Sequence, residues 1–135
     1  MKNIKTVITF GTFDVFHIGH VNILSRARGL GDRLIVGISS DQLNYSKKGR
    51  YPIYSQQDRL CIVHSLKCVD EVFIEESLEL KDKYIEKFDA DLLVMGNDWE
   101  GKFDWVEKTT KCKVIYLERT PAISTTEVIE IAKVR

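Results

Sequence analysis

Short apolar runs rich in β-branched residues recur along the chain at 7–10, 34–38, 69–74, 92–95 and 113–117, each of strand length. Between them the apolar positions change to a helical period. Val21, Leu24 and Ala27 recur at that spacing within 20–30, and Leu60, Ile62, Val63 and Leu66 do so within 55–66. Further helical segments are expected at 78–88, near 103–108 and at 125–133. Five strands alternating with helices predict an α/β domain whose sheet is parallel and covered on both faces. Two helix starts are marked by a serine followed three residues later by an acid, Ser55 with Asp58 and Ser124 with Glu127. The stretches 44–54 and 96–102 lack a period and mix glycine with aromatic and charged residues, so they read as connecting loops.

Composition narrows the functions open to such a domain. A length of 135 residues supports one core, so residues 1–135 are expected to form a single domain that carries the function by itself. With 44% hydrophobic and 30% charged residues and two prolines, the balance is that of a packed globular protein. Twenty basic residues offset twenty acidic ones, so no general nucleic-acid or membrane surface is implied and any basic residue that matters acts locally. No apolar run is long enough to span a bilayer and the first residues carry no signal core, which makes the cytoplasm the expected address. Cys61, Cys68 and Cys112 are odd in number and lack CxxC spacing, which points to core thiols rather than disulfides or a zinc site.

Chemistry first shows where the first strand ends, in the sequence TFGTFDVFHIGH at 9–20. This is the strand-to-helix junction at which open α/β sheets place ligands. Gly11 lets a backbone pass close to a bound group, and Gly19 does the same between His17 and His20. Their i, i+3 spacing sets the two imidazoles on one side of a helical first turn. A helix N-terminus offers partial positive charge and free N–H groups, and histidines there add donors to the same oxygens, which suits a phosphate whose charge grows in a transition state. A lone histidine is more often a packed residue, but a pair flanking glycine just past a strand is harder to explain that way. Arg119 and the helix start at Ser124, Thr125 and Thr126 suggest a second anion site, where a planar fork of donors meets hydroxyls and backbone amides. Ser124 also suits a plain N-cap. The run from Ser46 through Lys47, Lys48 and Gly49 to Arg50 is a compact basic loop that by itself reads as a solvated turn.

These residues carry a resemblance. HxGH is the signature of a nucleotidyltransferase superfamily, and the longer GTFDVFHIGH resembles its cytidylyltransferase branch. GNDWEGKFD at 96–104 is similar to the GDDWEGKFD segment of bacterial glycerol-3-phosphate cytidylyltransferases, and RTPAISTT at 119–126 is similar to their RT..ISTT. VDEV at 69–72 and the region from Lys48 to Arg59 match as well, so the resemblance covers nearly the whole chain. It implies a Rossmann-like single domain, with a five-stranded, mostly parallel sheet and helices on both faces, working as a homodimer through the strand region 69–72. It also implies in-line attack by the phosphate of a small phosphorylated alcohol on the α-phosphorus of CTP, with release of pyrophosphate and no covalent enzyme intermediate. Mg2+ would arrive with the nucleotide, and no metal cage built from protein side chains is expected.

By the same resemblance, the catalytic residues are His17, His20, Lys48 and Arg119. Nucleotide binding falls to Thr9, Phe10, Gly11, Thr12, Gly19, Gly96, Asp98, Ser124, Thr125 and Thr126. Acceptor binding falls to Asp14, Lys47, Arg59 and Trp99, each with a plainer reading beside it. Asp14 could be a turn residue that bonds the backbone, Arg59 could pair with a neighbour, and Trp99 could simply pack. The basic loop becomes a lid supplying cations, with Lys48 reaching the phosphates and Lys47 and Arg50 as rivals. The chain departs from the family pattern at Lys67 and Cys68, where the family has Arg-Tyr, at Asn97, which replaces an acid, and at Pro121 and Ala122. These changes bear on the acceptor more than on the reaction. The expected product is CDP-glycerol for a cell-wall or capsule polymer. The alternatives are another acceptor such as ethanolamine phosphate, ATP in place of CTP, and a nucleotide-binding module without turnover.

Overall fold

The near-continuous apolar runs form one sheet whose successive residues enter two different cores. The computed structural model describes residues 4–119 and 124–135. Its strands are β1 (Thr6–Gly11), β2 (Arg33–Ser39), β3 (Glu71–Glu75), β4 (Leu92–Gly96) and β5 (Lys113–Leu117), in the order β3-β2-β1-β4-β5. Every neighbouring pair is parallel. On one face Val7, Val36 and Val94 pack with Leu24 of α1 (Ile18–Arg28) and Val63 of α3 (Gln56–His64). On the other, Ile8, Ile35 and Leu93 pack with Ile85 of α4 (Lys81–Phe88) and Val106 of α5 (Val106–Thr109). The period of two is hidden in the sequence because both faces are apolar. The expectation of helices on both faces of a five-stranded sheet holds, and the sheet is wholly parallel.

Aromatic packing beneath β1 and β2 fixes one glycine. A Cβ on Gly37 would lie 2.6 Å from the ring of Phe10 and 2.7 Å from that of Phe73, two rings that meet edge to face at 5.7 Å. The same face buries an ion pair between Lys81 and Glu75, with the ammonium 4.1 Å from the ring centre of Phe10 and 4.5 Å from that of Phe103. Such a pair is stable only as a pair, since removing one member leaves a buried charge at a cost of about 3–5 kcal/mol.

One helix is absent from the sequence reading. α2 (Asp41–Lys48) occupies much of what reads as a loop. It opens on Ser40, whose hydroxyl accepts the Leu43 N–H, and closes on Gly49 at φ 73°. Its buried side chains are Leu43 and Asn44, too few to show a period. α6 (Thr125–Lys133) is capped as expected, by the hydroxyl of Ser124 on the Glu127 N–H, and α3 likewise by Ser55 on the Asp58 N–H. The chain builds the sheet from β1 outward to β3, then crosses to add β4 and β5 on the other side of β1. The crevice beyond the C-terminal ends of β1 and β4 is therefore the switch point at which such sheets bind ligands.

Candidate active site

Two adjoining cavities open at that switch point, about 540 and 250 Å³ in volume. They share His20, Gly96, Asp98 and Thr125. The end of β1 lines the larger one with Thr9, Phe10, Gly11 and Thr12, and the segment after β4 adds Trp99. Lys48 from the last turn of α2 and Thr126 from α6 complete this group. His17, Gly19, Arg119 and Ser124 line the smaller cavity. Residues expected to act together from the two ends of the chain thus meet around one crevice.

The two histidines hold each other and the helix they precede. His17 is the N-cap of α1, and its Nδ1 accepts the Gly19 N–H at 3.0 Å. His20 reaches back so that its Nδ1 accepts the His17 N–H at 3.2 Å. The rings stack with centres 3.9 Å apart, and Phe16 stacks on the other side of His20 at 5.1 Å. With Nδ1 accepting, the proton of each neutral imidazole sits on Nε2, which leaves Nε2–H as a donor with no partner among the described residues. Burial pushes His20 down to about 4, reinforced by His17 and opposed by Asp14. His17 is lowered too, by burial and by the Arg119 charge. Both are neutral at neutral pH, so the same two side chains cap the helix and offer Nε2–H donors.

The turn between β1 and α1 holds unusual backbone. Phe13 and Val15 have φ of 55° and 46°, a region that costs a β-branched residue about 1–3 kcal/mol. Asp14 between them lines the larger cavity, and its carboxylate bonds the backbone as the plainer reading of a turn residue has it. Its two oxygens accept the N–H groups of Ile53 and Tyr54 at 2.7 and 2.8 Å. Arg59 follows its plainer reading: it lines neither cavity, and its guanidinium is wholly buried. It donates to the carbonyls of Tyr54, Thr12 and Ser39 at 3.0, 2.9 and 2.8 Å and pairs with Asp41 at 2.7 Å. The hydroxyl of Thr12 donates to Asn44, and that of Thr9 to the Val94 carbonyl, so both bind structure before ligand. Lys47 stands 5.9 Å from the ring centre of Trp99 and outside the residues lining the cavity; burial lowers its pKa against the pull of Glu75. Lys48 and Arg50 do line the cavity.

Five of the residues at these cavities are not singled out by the sequence. Asn44 is buried, accepts from Thr12 and donates to the carbonyls of Ser39 and Ser40, which only the α2 cap motif could have suggested. Tyr51, Pro52 and Ile53 form part of the larger wall. Arg26 borders the smaller cavity and donates to the Glu118 carbonyl at 2.6 Å, next to Arg119. Thr120, Pro121, Ala122 and Ile123 of the RTPAISTT segment lie outside the described residues. Among the described residues, no group of three or more His, Cys, Asp or Glu is gathered as a metal would require, and no helix is long and apolar enough to cross a membrane.

Comparison with known proteins agrees with this geometry. The model of the cytidylyltransferase-like family matches residues 8–131. The chain is 46% identical over 124 residues to a glycerol-3-phosphate cytidylyltransferase of Staphylococcus aureus, covering 92% of each. It is 45% identical over 126 residues to that of Bacillus subtilis, covering 93% of this chain and 95% of the relative. Among solved structures, a lipopolysaccharide core biosynthesis protein from Thermoplasma volcanium superposes with a TM-score of 0.75 at 25% identity, covering 87% of this chain and 99% of that one.

Proposed function

The chain belongs to the cytidylyltransferase-like family, and from that premise we propose that it transfers the cytidylyl group of CTP to glycerol 3-phosphate, giving CDP-glycerol and pyrophosphate. A phosphate oxygen of the acceptor attacks the α-phosphorus of CTP, and the bond from that phosphorus to the bridging oxygen breaks so that pyrophosphate leaves with the electron pair. The observation that carries this reading is the pair of neutral imidazoles, His17 lining the smaller cavity and His20 lining both, with Arg119 in the smaller cavity and Lys48 in the larger. Positioned donors and cations are what phosphoryl-type transfer needs, with no protein nucleophile.

The triphosphate lies along the smaller cavity, against His17, His20, Arg119 and the start of α6, where backbone amides and the helix dipole add to the cradle. The nucleoside fills the end of β1 and β4, and the acceptor lies toward Lys48, Arg50 and the wall at 51–53. Magnesium bound to the triphosphate would offset phosphate charge during attack, and Asp98, an exposed carboxylate bordering both cavities, would hold it; one or two carboxylates with phosphates and waters suffice for this ion. The protein acts in the cytoplasm as a homodimer, with residues 69–72 at the start of the edge strand β3 as the contact, and its product supplies a cell-wall or capsule polymer.

Pyrophosphate release with magnesium, each nucleoside triphosphate in turn and a panel of phosphorylated alcohols tests the reading. Release that requires both CTP and glycerol 3-phosphate is expected. Release with ethanolamine phosphate or with ATP instead would reassign the substrates, and silence with CTP still bound would replace the enzyme with a binding module.

A further inference from the structure

The wall at 50–54 is held in an uncommon way. It links Gly49, which closes α2, to Ser55, which caps α3, and lines the larger cavity with Arg50, Tyr51, Pro52 and Ile53. Among the described residues, its backbone makes no hydrogen bond to other backbone. Its backbone hydrogen bonds run to two side chains. Asp14 takes the N–H groups of Ile53 and Tyr54, and Arg59 takes the carbonyl of Tyr54. Asp14 is bound on its other side as well, since its carbonyl accepts the hydroxyl of Thr125 at 2.9 Å, the first residue of α6. One residue therefore touches both the acceptor wall and the phosphate-side helix. The backbone around it is bent out of the favoured regions on both sides, at Phe13 and Val15, and a disfavoured conformation of this kind persists only where surrounding contacts impose it.

We propose that Asp14 is a positioning residue that sets the 50–54 wall in register with the start of α6, rather than a group that touches substrate. This rests on the reading of that wall as the acceptor side. Two charge-assisted hydrogen bonds from consecutive amides fix both the distance and the orientation of the segment. In Asp14→Asn the side-chain oxygen keeps one amide, while its NH2 faces the other, so the clamp loses a bond and its charge.

The test joins amide hydrogen exchange in the substrate-free protein to steady-state kinetics with CTP and glycerol 3-phosphate. In Asp14→Asn, protection of the Ile53 and Tyr54 amides should fall by about tenfold or more while the β1 and β4 amides keep theirs. The kcat/KM for glycerol 3-phosphate should fall by about a hundredfold, with KM for CTP within about threefold of the original. Asp14→Glu restores the carboxylate at a different reach and should move both readouts part of the way back together; it carries the test alone should Asp14→Asn fail to fold. A loss of activity with unchanged exchange would make Asp14 a direct substrate contact, and lost protection with unchanged kinetics would remove its positioning role; either overturns the proposal. Exchange reads the clamp whatever the substrates prove to be, so failure of the functional reading and failure of the clamp are separable.

Discussion

α1 and α6 both turn their N-termini to the same crevice, but they are capped by different chemistry. At α6 the cap is the hydroxyl of Ser124, while the cation beside it is a separate residue, Arg119. At α1 the capping groups and the donors are the same two imidazoles. Fold and chemistry can be altered one at a time at α6, whereas a substitution at α1 strikes both.

The sharpest break of this comparison is His20→Ala, which removes one half of the reciprocal cap and, in the proposed reaction, a donor to the growing phosphate charge. A fall in kcat of about a hundredfold to a thousandfold is expected in the pyrophosphate assay, together with a lower melting temperature. Arg119→Lys keeps the charge and loses the fork, so kcat/KM for CTP should fall by about tenfold with the melting temperature unchanged. The pH dependence sharpens the contrast. The folded-state value of His20, about 4, lies below the ordinary 6.5, so as pH falls the unfolded chain takes up its proton first. The contribution of His20 to stability is whole above pH 6.5 and is lost progressively between 6.5 and 4. Melting curves across that range should fall less steeply in His20→Gln than in the parent. The smallest effect belongs to Ser124→Ala, where loss of a cap costs about 1 kcal/mol, read as a melting temperature lower by a few degrees.

The fold was legible wherever burial was two-sided. All five runs became strands, because short stretches rich in Val, Ile, Leu and aromatic residues have few other uses in a domain of this size. α2 was not legible, since its burial falls on Leu43 and Asn44 and its stability comes from Ser40 and Gly49 at its ends. At the site, the 9–20 motif showed which residues gather, and the cavities gather them. What the motif could not show is where each polar atom is already engaged. The hydroxyl of Thr12 depends on Asn44, and Arg59 on carbonyls at positions 12 and 39, contacts between segments far apart in sequence. Charge and hydrogen-bonding capacity are properties of residues, but their vacancy is a property of the tertiary structure.

The hydroxyl bonds of Thr9 to Val94 and of Thr125 to Asp14 join positions 85 and 111 residues apart. In synthesis the histidine motif is made before the neighbours that finish that turn. Closing such separations is the slow part of folding a parallel sheet. A chain synthesised only as far as β4 thus has His17 and His20 without Arg119 and α6, which line the same cavity, and it should not bind CTP until α6 has been made.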